Sequence, residues 1–115
     1  MTIQTVPAPF NMAAHVLRHV EDLTEKTALS IVSEGHAQDY TFGQLAAAVR
    51  GCATGLLNLG LCAGDRVIIR LGNAADFPIT YLACIAVDLI PVPLSAQLTA
   101  SEVAKIGANV QPKLT

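Results

Sequence analysis

The stretch LNLGLCAGDRVIIRLGN, residues 57–73, constrains the fold more than any other part of the sequence. An apolar helical repeat ends at Gly60, small residues lead to a turn at Asp65, and a short aliphatic run follows at residues 66–71. An aliphatic run without polar alternation is typical of a strand that helices cover on both faces. This joint therefore predicts a parallel sheet packed between helices.

Helices are predicted on both sides of the joint. Asn11 can cap a first helix that runs to about Leu23, because apolar residues recur there at steps of three and four. Thr41 and Gln44 have the spacing of a capping box, which predicts the start of a second helix. That helix is expected to end at Gly60, with the glycine in the left-handed conformation.

Two more helices are predicted further along the chain. The third covers residues 76–88, with Asn73 or Asp76 as its cap and Pro78 tolerated in its first turn. Thr99 and Glu102 repeat the capping-box spacing, so a fourth helix is expected to reach about residue 109.

Strand patterns fill the intervals between these helices. TALSIV at residues 27–32 and DYTF at residues 39–42 predict a small hairpin, with SEGHAQ as the turn region. LIPVPL at residues 89–94 predicts a short buried strand whose prolines favour an edge or a strand end. KLT at residues 113–115 stands where the alternation of helix and strand requires another strand.

The order of elements predicts an α/β fold with a parallel, doubly wound sheet, helices on both faces, an N-terminal helix and a small hairpin. Residues 1–10 are expected to be irregular, and residues 112–115 to begin a strand that the chain does not complete. Either the domain is truncated at this point or the last residues are frayed. Sheets of this kind bind ligands at the carboxyl ends of their strands, here the loops after Leu71 and Leu94.

Composition restricts the partners of the chain. The formal net charge is −2 with no run of Lys or Arg, so nucleic-acid binding is not expected. The first residues lack a secretory signal, and the most apolar stretch is too short to span a bilayer, so a cytoplasmic protein is expected. With 52% hydrophobic and only 14% charged residues, part of the surface is expected to be buried against another protein surface.

Reactive residues are sparse. His15 and His19 have i, i+4 spacing but no obvious partner ligands, so no metal site is assigned. Gly72 alone is not a phosphate-binding fingerprint, Asn73 is best interpreted as a helix cap, and His36 as a solvated turn residue. Because no nucleophile has a base beside it, no catalytic residue is assigned.

The ordered pieces from residue 39 to residue 103 carry a family resemblance: DYTFGQLAAAVRGCATGLLNLGLCAGDRVIIRLGNAADFPITYLACIAVDLIPVPLSAQLTASEV. The series resembles the N-terminal segment of AMP-forming acyl-CoA synthetases and their adenylating relatives, and the likeness covers about residues 10–110. It departs from the family pattern at Gln44, where Glu is frequent, and at residues 86–88, where AVD replaces the usual Ala-Gly. Asp88 must therefore adopt the turn that glycine allowed.

The resemblance implies a ligase that forms an acyl-adenylate from a carboxylic acid and MgATP and then transfers the acyl group to coenzyme A. ATP, Mg and coenzyme A are thus implied for the parent enzyme, with none expected to bind tightly to these 115 residues. The family's phosphate loop and lysine motifs lie beyond the equivalent of residue 115. By the resemblance, the PLSAQLT loop could place Gln97 near the coenzyme A entrance; the alternative is that Gln97 is an ordinary loop residue that satisfies only backbone and water.

Three hypotheses follow. The first is an N-terminal scaffold segment of an AMP-dependent carboxylate:CoA ligase, inactive alone, whose partner is the remainder of the enzyme. The second is a free-standing, non-catalytic module of the same ancestry that associates with itself or with a partner through apolar faces. The third is a flavodoxin-like domain that binds a small nucleotide at its strand ends.

Overall fold

Helices and strands alternate along the chain from the second helix onward. The computed structural model describes Thr5 and residues 8–115. Its elements are α1 (Met12–Val16), β1 (Thr27–Ser33), β2 (His36–Thr41), α2 (Phe42–Asn58), β3 (Arg66–Ile69), α3 (Asp76–Ala86), β4 (Ile90–Pro93) and α4 (Ala100–Val110). Most of the expected irregular segment, residues 1–10, lies outside the described residues.

β1 and β2 form the predicted antiparallel hairpin, with Ser33 opposite His36 at its tip. The turn consists of Glu34 and Gly35, and Gly35 has a φ of 87°, which favours glycine. Both residues lie within SEGHAQ, the segment predicted to supply the turn. Residues 36–38 join β2 because a glycine at positive φ closes the hairpin in two residues.

β3 and β4 pair as parallel strands, with Arg66 opposite Ile90 and Ile69 opposite Pro93. The helix α3 connects the end of β3 to the start of β4. On the other side of β3, Leu114 forms a parallel bridge with Val67, and its carbonyl accepts from Ile68 N at 2.9 Å. The predicted α/β class is confirmed. The parallel part of the described residues is small, with two strands and this bridge.

The prolines of β4 are explained by its hydrogen bonding. Ile90 N donates to Asp65 O at 2.9 Å and Leu94 N donates to Ile69 O at 2.8 Å. The N–H groups that face β3 thus belong to even-numbered residues, and Pro91 and Pro93 occupy the positions that face away. Proline has no N–H to donate, so the outer edge of β4 is a poor partner for a further strand.

The core lies between α2, α3 and β3. Its buried side chains include Leu45, Val49, Ala53 and Leu56 of α2, Val67 and Ile69 of β3, and Leu82, Ala83 and Cys84 of α3. The α2 residues recur at steps of three and four, as the sequence pattern predicts. Packing of this apolar face stabilises the helix more than its propensity does.

Helix caps match the sequence patterns at four helix ends. The Asn11 side chain accepts from Ala14 N, and Thr41 and Gln44 form both bonds of the capping box. Gly60 has a φ of 88°, as expected for the residue that follows the last turn of α2. Thr99 caps α4 through Glu102 N, but Glu102 Oε1 accepts from the Thr99 hydroxyl, so the second bond of that capping box is not the predicted one.

The predicted cap of α3 is wrong. The N-cap is Ala75, whose backbone is already helical with φ −60° and ψ −27°, and it makes no side-chain capping bond. Residues 72–75 form tight turns, with Ala74 N donating to Gly72 O at 2.9 Å, and these turns carry the chain into the helix. Asp76 is the first helical residue, where its carboxylate favours the positive end of the helix. Pro78 is tolerated in the first turn, as predicted.

The first helix is shorter than predicted, because α1 ends at Val16 instead of about Leu23. Beyond it, the backbone continues as turns in which Val20 N donates to Leu17 O and Asp22 N donates to His19 O. Ala13 is the only residue of α1 that is buried. Short helices depend on tertiary packing, so apolar spacing alone does not extend this one.

The turn after α2 is hydrogen-bonded to the turn after α3. Gly64, with a φ of 86°, donates its N–H to Asp88 O at 2.8 Å, and Asp88 itself has a φ of 61°. The Asp65 carboxylate accepts from Cys62 N at 2.8 Å. The expectation that Asp88 adopts a turn that glycine allows is confirmed, and α3 ends at Ala86, two residues before the predicted end at residue 88. The turns after α2 and after α3 thus support each other.

Candidate functional site at the carboxyl ends of the parallel strands

The loops after β3 and β4 lie side by side because the two strands are parallel and in register. The first loop covers residues 70–75 and the second covers residues 94–99. Ligands of parallel α/β sheets bind at this end of the strands. We define these two loops as the candidate site.

Arg70 joins the two loops. Its guanidinium Nη2 donates to Ala96 O at 3.3 Å and also to Leu98 O, both in the loop that precedes α4. The sequence analysis did not single out this residue. A charged residue directly after an aliphatic strand, at the edge where ligands bind, is the signal that identifies it.

Gln97 is exposed and lies in the middle of the second loop. Its backbone N–H donates to Ser95 Oγ at 3.2 Å, and Leu98 N donates to Ser95 O at 3.3 Å. The loop is therefore folded by its own short-range hydrogen bonds and by Arg70. The side chain of Gln97 projects from a segment whose backbone is held on both sides.

Asn73 lies in the first loop, apart from Gln97, and faces a polar groove of about 340 Å³ between the hairpin and the start of α3. The groove is lined by Ser33, His36, Gln38, Tyr40, Asn73 and Asp76, among others. His36 is exposed, and its Nδ1 lies 3.2 Å from Ser33 Oγ. Sequence reasoning missed this groove because it is assembled from segments that are far apart in the chain.

His15 and His19 do not share a helix face, because α1 ends between them. The His15 ring packs near Phe10, with ring centroids 5.4 Å apart. Among the described residues, no group of three or more His, Cys, Asp or Glu side chains is placed to hold a metal ion.

The three cysteines are free thiols with different surroundings. Cys62 is exposed, Cys52 is half-buried with its sulfur 4.0 Å from Thr80 Oγ1, and Cys84 is fully buried. Burial, with a smaller contribution from Cys52, raises the pKa of the Cys84 thiol. Because only a thiolate is an effective nucleophile, Cys84 belongs to the core and not to a reactive site.

A second groove, of about 650 Å³, lies between α1, α2 and the end of α3. Its lining is largely apolar and includes Ala13, Leu17, Val49, Leu57 and Val87. Asn11 lies at this groove, where its Nδ2 donates to Ile85 O at 2.8 Å and so connects α1 to the last turn of α3.

Among the described residues, none of the helices combines the length and the hydropathy that a membrane-spanning segment needs.

Comparison with known proteins identifies several relatives. The chain is 33% identical over 105 residues to the long-chain-fatty-acid–CoA ligase FadD15 of Mycobacterium bovis, covering 86% of this chain and 18% of that protein. It is 36% identical over 67 residues to the benzoate–CoA ligase of Thauera aromatica, covering 57% of this chain and 13% of that protein. The chain thus spans less than a fifth of the length of these relatives.

Solved structures resemble the chain as well. The acetoacetyl-CoA synthetase of Streptomyces lividans superposes with a TM-score of 0.86 and 29% identity, over 91% of this chain and 17% of that one. The profile of the family described as AMP-binding enzyme matches residues 16–115, which include every element from β1 to α4 and both loops of the candidate site. The chain therefore belongs to the family of AMP-binding enzymes.

Proposed function

We propose that the chain is the N-terminal scaffold segment of an AMP-dependent carboxylate:CoA ligase and is catalytically inactive alone. The parent enzyme would convert ATP, a carboxylic acid and coenzyme A into acyl-CoA, AMP and pyrophosphate. The observation that carries the proposal is the family match over residues 16–115. The names of the relatives, a fatty-acid–CoA ligase and a benzoate–CoA ligase, support the same reaction type with different acids.

The described residues favour a scaffold role over a catalytic one. Transfer of the adenylyl group from ATP to a carboxylate, with release of pyrophosphate, requires donors and a metal that neutralise charge on phosphate oxygens. At the candidate site, Thr99 serves as a helix cap, Ser95 Oγ accepts from Gln97 N, and Arg70 binds backbone carbonyls. These side chains do not form a binding set for ATP and Mg, so we place both in the remainder of the parent enzyme.

For coenzyme A, the proposed contact is Gln97. Its exposure leaves the amide able to donate to and accept from a ligand at the loop surface. The remainder of the enzyme is the proposed partner of this segment, and the cytoplasm is the proposed location.

Calorimetry of residues 1–115 with ATP, AMP and coenzyme A tests the scaffold assignment. We expect no affinity tighter than about 1 mM, because binding would rest on a few exposed polar groups at most. The whole protein that contains these residues serves as the positive control. Micromolar affinity of residues 1–115 for any of the three ligands would contradict the proposal and favour a nucleotide-binding domain.

A second candidate function is a non-catalytic module that acts by self-association or by binding a partner. The exposed apolar side chains favour it, since Leu57 is 49% exposed and Leu59 is 67% exposed at the end of α2. Leu57 also lines the apolar groove. Single exposed apolar residues are common, but a groove with an apolar rim is typical of an interaction surface.

A further inference from the structure

Arg66 is the first residue of β3 and Arg70 directly follows its last residue. The two arginines bind opposite ends of a crossover that consists of the loop of residues 94–99 and α4. Arg70 donates to Ala96 O and Leu98 O in the loop before α4. Arg66 Nη1 donates to Val110 O, in the last turn of α4, at 3.1 Å. Residues four apart in extended chain lie on the same side, so both guanidinium groups reach the same crossover.

α4 depends on such contacts because it contributes no buried residue to the core. By contrast, α2 contributes five buried residues and α3 contributes three. Apolar burial is the main stabilising contribution for most helices. The position of α4 and of the loop before it therefore depends more on hydrogen bonds than the positions of α2 and α3 do.

The guanidinium of Arg70 suits this role. Both hydrogen bonds come from one terminal nitrogen, Nη2, which carries two N–H groups, and a charged donor makes a stronger hydrogen bond than a neutral one. Lysine also has several N–H donors, but its ammonium group ends a flexible stem and is less well oriented than the planar guanidinium. Methionine keeps much of the apolar stem and removes the donors.

We propose that Arg70 is a positioning residue: by binding Ala96 O and Leu98 O it fixes the loop of residues 94–99 and so sets the position of Gln97. The link to coenzyme A rests on the proposed function. Arg70 itself does not contact substrate. It acts through the backbone of the loop that carries Gln97.

The kinetic test uses the whole ligase with Arg70→Met and Arg70→Lys, and Arg66→Met as the matched control from the same strand. For Arg70→Met we expect the KM for coenzyme A to rise about tenfold, because a small displacement of a contact group weakens ligand positioning. ATP–pyrophosphate exchange, which reports adenylate formation, should change by less than about twofold, since the adenylation groups lie elsewhere. Arg70→Lys should give an intermediate KM. Arg66→Met should leave the KM unchanged, because Arg66 donates to Val110 O at the far end of α4 and not to the loop of residues 94–99.

An unchanged KM for coenzyme A in Arg70→Met would overturn the proposal. Equal losses in pyrophosphate exchange and in thioester formation would also overturn it, because they would indicate a general structural role. Amide hydrogen exchange supplies a readout that does not depend on activity. The Gln97 and Leu98 amides should exchange faster in Arg70→Met and not in Arg66→Met. If the wild-type protein makes no acyl-CoA, the proposed function fails, whereas the exchange result still decides whether Arg70 positions the loop.

Discussion

Gly43 and Gly51 lie in the same helix and have opposite steric surroundings. A Cβ atom at Gly43 would lie 2.8 Å from Thr24 Cγ2 and 3.3 Å from Thr24 O, whereas a Cβ at Gly51 would meet nothing within 4 Å. Thr24 cannot turn aside freely, because its hydroxyl donates to Val20 O at 2.8 Å. The glycine at residue 43 is therefore required by close packing, and the glycine at residue 51 is not.

Alanine at the two positions should have opposite effects. Gly43→Ala should lower the free energy of unfolding by about 1–3 kcal/mol, the usual cost of overpacking. Gly51→Ala should raise it by about 0.5–1 kcal/mol, because alanine is the better helix former. Urea denaturation followed by circular dichroism measures both values. Equal effects of the two substitutions would show that the contact with Thr24 is not limiting.

Asp88 also carries a steric requirement, because it has a φ of 61° at the turn between α3 and β4. Non-glycine residues pay about 1–2 kcal/mol for this left-handed conformation, although Asp tolerates it better than most. Asp88→Gly should therefore raise the free energy of unfolding by up to about 1 kcal/mol. Asp88→Val should lower it, since a β-branched residue disfavours this backbone. A lower stability for the glycine variant, measured in the same denaturation experiment, would refute the strain argument.

At the scale of elements, the helix starts that have a side-chain cap lie where the local sequence predicts them, whereas α3 has no side-chain cap although the sequence predicts one. Thr41 Oγ1 accepts from Gln44 N at 3.1 Å while Gln44 Oε1 accepts from Thr41 N at 2.9 Å. Both partners lie within three residues of each other, so the pattern can be read directly. Asn73 resembles a cap equally well, but the tight turns at residues 72–75 place the helix start beyond its reach.

Removal of the Thr41 hydroxyl should destabilise α2. Thr41→Ala should cost about 1 kcal/mol, the usual value for an N-cap, which corresponds to a melting temperature lower by about 4 °C. Thr41→Ser keeps the acceptor and should cost less. Thr54→Ala in the same helix is the control, because the Thr54 hydroxyl only donates to Arg50 O at 3.0 Å and makes no cap. A loss at Thr54 as large as that at Thr41 would argue against a capping effect.

At the scale of the whole molecule, the structure leaves apolar surface beside a well-packed core. Leu57 lines the apolar groove, and Ile90 of β4 is 45% exposed. A low content of charged residues gives the same expectation from composition alone. Residues 1–115 by themselves are therefore expected to associate.

Sedimentation velocity of residues 1–115 should show dimers or larger species that increase with concentration, because exposed apolar surface favours association. Leu57→Lys should shift the population toward monomer by adding a charge at the apolar groove. Val32→Lys is the matched control, because Val32 is 67% exposed on the hairpin and does not line that groove. A monomer at all concentrations would rule out self-association and leave only partner binding for the second candidate function.

The sequence by itself determined the order of the elements, the Thr41–Gln44 cap and the glycine that ends α2. Each depends on residues close together in the chain, so local chemistry decides it. Only the tertiary structure decided that α1 stops at Val16, that Ala75 is the N-cap of α3, and that Arg70 binds the loop around Gln97. These features depend on packing and on contacts between segments distant in sequence, such as the 28 residues that separate Arg70 from Leu98. Periodicity and spacing carry no information on contacts of that kind.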